Sequence, residues 1–242
     1  MNPPRLWWPL LAAAALLLIP LSCRPLASGM DYDPVFTAAP AELAQPPGLP
    51  PFGKWMLDPD RTPAHWLGEI YDGKPLREPI NVVLIDAAAA TAEQAVERLM
   101  RATAGAGYPS REGHSSGYQG YIGGRYYQQL PRRHEHAFSN EPFEFHNNHG
   151  RIFGPHPSER GFVFIGAFSR ERVAPMAPVK HAFVSFDQAR DDFAQRLDQA
   201  SEYHLQGFVA LDNALTQDPL VSTGDHDGQA ALLITADREP SR

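Results

Sequence analysis

Histidine is the side chain whose number and spacing most invite chemistry. Six of the ten histidines fall in one stretch: His114, His134, His136, His146, His149 and His156. Imidazole is the commonest metal ligand and the side chain that ordinarily titrates near neutrality. On a strand, His134 and His136 would point to one face, as two ligands of one ion require. His146 and His149, with Glu144 nearby, would add a second pair and a carboxylate. The bland reading uses the same residues. Asn147-Asn148-His149-Gly150 is good turn chemistry, because Asn and Gly tolerate positive φ. Arg132-Arg133-His134-Glu135-His136 also reads as a solvated loop. None of the familiar zinc spacings is present. No cofactor is therefore expected, and the alternative is zinc or another divalent metal held by His134, His136, His146 and His149.

Other constellations are incomplete. Gly120-Tyr121-Ile122-Gly123-Gly124 is neither a dinucleotide fingerprint nor a phosphate loop. No G-x-S-x-G elbow offers a serine nucleophile. Asp225-x-Asp227-Gly228 starts like a calcium loop but lacks the remaining ligands, and reads as a surface turn. Asp187, Asp191 and Asp192 suit the N-terminal turn of a helix. Arg190 beside them is less expected there, and would reach an acidic partner across the fold. The missing catalytic constellation leans the reading away from an enzyme.

The elements that must position these residues are legible in part. Ile80 to Ile85 (INVVLI) is apolar at every position but one and reads as a buried strand. A helix follows, with Thr91 as N-cap, Gln94 as its reciprocal partner and Gly105 at its exit. Strands are expected around 118–129, 143–146, 151–153, 161–168 and 179–184. A second helix is expected from about Phe186 to His204, capped by Asp187, and closing strands at 207–211 and 230–235. The pattern implies a compact single α+β domain, its mixed or antiparallel sheet carrying two main helices and opening with a β-α unit.

The chain has 242 residues, a formal net charge of −7 and 43% hydrophobic residues, enough for a sizeable core. Its acidity argues against nucleic acid as a partner. The single cysteine excludes an internal disulfide or a Cys-based zinc site. That residue, Cys23, ends the apolar run Leu6–Ser22, which is short for a membrane span and follows a single Arg. Residues 1–29 thus read as an export signal, cut either before a lipidated Cys23 or after Ala27-Ser28-Gly29. Fifteen of the 24 prolines lie in the first 80 residues, and 24–64 reads as a proline-rich stalk. The folded domain is expected over 66–236. The setting implied is the cell envelope, as a membrane-anchored lipoprotein or a periplasmic or extracellular protein.

The strand PINVVLID (79–86), the helix exit from Ala102 to Tyr108, Asn148-His149-Gly150-Arg151-Ile152-Phe153, FIGAF (164–168) and KHAFVSFDQARDDF (180–193) together resemble the LssY C-terminal domain family. The likeness covers roughly 79–235. This chain differs in its His-rich 131–146 and in Ser169-Arg170, where the family has an aspartate. The resemblance implies a fold and an envelope setting, in a family associated with export components and membrane-bound phosphatase-like chains. It also implies a cluster of His149, Arg151, His181 and Arg190, suited to a phosphate or carboxylate or, structurally, to a buried polar network. The expectation is an exported, membrane-tethered envelope protein with a non-catalytic binding or accessory role linked to secretion. Its partners would be the membrane, through the anchor, and a protein or small anionic ligand. The alternative is a metal-dependent hydrolase using the His134–His149 region.

Overall fold

The computed structural model describes residues 42–174 and 180–236. The signal segment, Cys23 and the first part of the proline-rich stretch lie outside those residues. In chain order the elements are β1 (Leu43–Ala44), β2 (Phe52–Gly53), β3 (His65–Tyr71), β4 (Lys74–Arg77), β5 (Val82–Asp86), α1 (Ala92–Gly105), β6 (Ser110–Glu112), β7 (Gln119–Ile122) and β8 (Arg125–Leu130). There follow β9 (His136–Ser139), β10 (Asn147–Ser158), β11 (Gly161–Ala174), β12 (Lys180–Ser185), α2 (Asp187–Ala200), β13 (Tyr203–Ala210) and β14 (Gln229–Thr235).

The expected α+β domain is corrected here to a β-rich fold. Strands take 47% of the described residues, most of them in a curled twelve-stranded sheet, and those residues hold only two short helices. Its path runs β1-β2-β7-β8-β10-β11-β5-β14-β13, with β12 beside β11, and β6 reaching β10 through β9. The β5–β14 pair is parallel. The physical reason for the error lies in 110–174. That stretch has few apolar runs because its long strands carry Asn, His, Arg, Ser and Glu on a buried face, so their periodicity is masked. Nor does the described chain open with the β-α unit, because β1 to β4 precede it.

Both faces of the central strands are buried, which is why INVVLI is apolar on both parities. Val82 and Leu84 of β5 join a core with Phe164, Phe168, Leu99, Phe193 and Leu197, under the two helices. Val83 and Ile85 face the other way, with Phe52, Met56, Phe153, Val163 and Ile165. Residues 42–64, read above as the end of a stalk, supply that second layer. Phe52, Trp55, Met56 and Ala64 are buried. Prolines interrupt the backbone pattern there without preventing the side chains between them from packing.

Local signals held at α1. Thr91 Oγ1 accepts from Gln94 N at 3.2 Å, and Gln94 Oε1 accepts from Ala90 N. At α2 the capping hydroxyl is that of Ser185, which accepts from Gln188 N at 2.9 Å, in place of the expected Asp187. Asp225 accepts from the Phe186 N–H beside it. Among the described residues, no helix is long and apolar enough to cross a membrane.

Candidate metal centre

The site is built by the ladder between β10 and β11. In antiparallel register Asn147 stands opposite Glu171, His149 opposite Ser169 and Arg151 opposite Ala167. These residues share the parity of Phe153 on β10 and of Val163 and Ile165 on β11, so they lie on the face away from the helices. There the apolar second layer gives way to a polar floor. Asn147, His149, Arg151, Ser169 and Glu171 are all buried. His181 of β12 comes in from the far side, its Nδ1 2.9 Å from Glu171 Oε2. His114, on the connection after β6, lies over His149 with ring centroids 4.7 Å apart.

His114, His149 and Glu171 each offer one ligating atom, and those atoms lie within 4.8 Å of one another. The hydrogen bonds prepare them. Asn147 Nδ2 donates to Phe145 O at 2.9 Å and to Glu171 Oε1 at 2.6 Å. Its Oδ1 is thereby turned to His149 Nδ1, 2.9 Å away. An acceptor there makes Nδ1 the protonated nitrogen and puts the lone pair on Nε2, the logic of an outer-shell partner at a metal site. Ser169 Oγ lies 3.5 Å from that Nε2 and accepts from Trp66 Nε1 at 3.0 Å. His114 Nε2 and His181 Nε2 are buried with no hydrogen-bond partner, while His181 Nδ1 stands against the Glu171 carboxylate. An unpartnered buried imidazole nitrogen beside a carboxylate leaves a donor atom that an ion can take up.

Electrostatics agree with the geometry. Burial, helped by Arg151 and neighbouring histidines, pushes His114 down to about 3. Burial and then Arg151 hold His149 well below its ordinary value. Both rings are therefore neutral near pH 7, as ligands must be. Burial raises the Glu171 carboxyl, while Asn147, His181 and Arg151 oppose the rise. Two imidazoles and one carboxylate is a composition used by zinc sites that keep a coordination position open.

The remaining histidines of the 114–156 stretch do not converge. His134 has a side chain 85% exposed. His136 meets Ser110 Oγ at 2.9 Å, His146 Nδ1 accepts from Val173 N at 2.9 Å, and His156 pairs with the Tyr127 hydroxyl at 2.9 Å. The quartet His134, His136, His146 and His149 is therefore not a ligand set: His134 lies in the turn before β9, His136 on β9, His146 just ahead of β10 and His149 on β10, each with different neighbours. Of the four residues grouped by resemblance, His149, Arg151 and His181 come together. Arg190 does not. Its guanidinium sits between the acids of the other convergent group, 2.7 Å from Asp227 and 3.2 Å from Asp187, next to His226. A cation already fills that gap.

Sequence reasoning missed Glu171, His114 and Asn147 as members of the centre. The available signal was parity: Ser169 and Glu171 continue the inward positions 163, 165 and 167 of the apolar strand.

Comparison with family models, with curated proteins and with solved structures finds no match. The site's chemistry therefore carries the functional reading.

Proposed function

We propose that this protein is an exported, membrane-tethered envelope protein that binds a divalent transition-metal ion, with His114, His149 and Glu171 as ligands. The observation that carries the metal reading is the convergence of one ligating atom from each of three buried residues within 4.8 Å, in a place where His114 Nε2 has no hydrogen-bond partner. Imidazole with carboxylate suits zinc and its neighbours better than calcium or magnesium. Export and tethering rest on the apolar run Leu6–Ser22 and on Cys23 at its end.

The test is metal analysis of the purified protein after exposure to zinc, with affinity read by chelator competition. Stoichiometric zinc is expected in the parent chain and in His134→Ala. Its loss is expected in His114→Ala and Glu171→Gln. His149→Cys, which keeps a zinc-competent donor, should retain binding and guards against misfolding as the cause. Full zinc content in His114→Ala, or loss in His134→Ala, would overturn the reading.

A further inference from the structure

Arg151 is the unusual neighbour of this centre. It is 3% exposed, and among the described residues no carboxylate lies within ion-pair distance of it. Its Nη2 donates to Ser115 O at 2.8 Å and to Ser115 Oγ at 3.2 Å. Its guanidinium carbon stands 5.1 Å from the centre of the Tyr118 ring. Its Nε is buried with no partner. Opposite it on β11, Ala167 has no side-chain acceptor to give it. A buried guanidinium is always charged, and leaving it unpaired is costly.

The charge count then decides what fits. Without a metal, the Glu171 carboxyl faces Arg151 only through space, its oxygens being taken by Asn147 and His181. With a divalent ion seated between His114, His149 and Glu171, the same pocket becomes cationic, and even the nearby buried Glu78 does not restore neutrality. The two imidazoles add no charge, and one coordination position stays open.

We infer that the metal-loaded centre takes a small oxyanion, a carboxylate or a phosphate, with one oxygen on the ion and another on Arg151. This rests on the metal reading above. Two oxygens on one planar or tetrahedral group match the arginine fork. The metal and the arginine recognise the ligand jointly, so neither alone is sufficient.

Isothermal titration of the whole protein, zinc-loaded and zinc-stripped, with inorganic phosphate and separately with acetate, tests this, with chloride at equal ionic strength as control. Zinc content is measured on every sample. At least one oxyanion should bind the loaded protein at least about tenfold tighter than the stripped one. Arg151→Gln should lose that binding about tenfold or more with zinc unchanged, and Arg151→Lys should fall between. Binding by phosphate alone or acetate alone supports the inference and names the ligand class. Undiminished binding in Arg151→Gln, or no oxyanion binding by loaded parent protein, overturns the inference and leaves the metal reading intact. A parent protein that holds no zinc overturns both.

Discussion

Asn147 and Glu171 face each other across the β10–β11 ladder, and a single amide joins the Glu171 carboxylate, at 2.6 Å, to the His149 ring, at 2.9 Å. The amide fixes both the orientation of the carboxylate and the tautomer of the imidazole. Asn147→Ala should therefore weaken zinc binding about 10- to 100-fold and cost about 1–3 kcal/mol of stability, because two buried groups lose a partner. Chelator competition and urea melts read the two effects. Unchanged zinc affinity would show that the amide has no hold on the ligands.

Glu78 makes stability depend on pH in a defined direction. Burial pushes its carboxyl up to about 7, with Arg151 opposing, against 4.5 for the free group. Between those values the folded protein holds a proton that the unfolded chain releases. The contribution to stability is thus fully present below 4.5 and is lost as the pH rises through 7. Glu78→Gln should gain on the parent protein by about 3 kcal/mol between pH 5 and pH 8. The depressed histidines act the other way, but both chains share them and the difference cancels. A constant gap across that range in denaturant melts would refute the assignment.

Phe193 is a large aromatic anchor of the helix layer. Phe193 of α2 stacks on Phe168 of β11 with centroids 4.0 Å apart, and meets Tyr108 edge-on at 5.1 Å. Phe193→Ala should cost about 3–5 kcal/mol, read as a lowered melting temperature. Zinc affinity of the folded fraction should be unchanged, since the centre is on the opposite face. A variant as stable as the parent would contradict the packing.

Arg190 ties α2 to the start of β14. Its guanidinium reaches Asp227 at 2.7 Å, Asp191 at 2.8 Å and the Gln229 carbonyl at 3.0 Å. Arg190→Met should lower stability by about 1–3 kcal/mol, discounted for the partial exposure of the acids, and leave zinc stoichiometry as it was. Loss of zinc in this variant would place Arg190 at the centre after all.

The proposed membrane tether has its own readout. Mass spectrometry of the mature protein from membranes should find a diacyl-modified Cys23, and Cys23→Ser should move the protein to the soluble fraction. A mature chain beginning at Met30 would remove the anchor.

Local chemistry was legible residue by residue. INVVLI is a strand buried on both faces because its apolar side chains occupy both parities. Thr91 and Gln94 mark the start of α1 because a cap needs only neighbours in the chain. The family resemblance, not local chemistry, grouped His149, Arg151 and His181, and it added Arg190, whose place was decided by the acids around α2. The proline-rich segment misled, since Pro density reports on the backbone and says nothing of Phe52, Trp55 and Met56, which seal the second layer.

By itself the sequence determined the two buried strands PINVVLID and GFVFIGAF, the cap of α1, the supply of histidines and the lone cysteine. Each depends on residues a few positions apart. Tertiary structure alone decided that His114, His149 and Glu171 converge while His134, His136 and His146 do not. His114 comes from a loop, and His149 and Glu171 from the two strands of one long hairpin, on which they are 22 positions apart. Which side chains meet is set by ladder register, by the parity of each position and by the layer that closes over that face, and none of these is a local property.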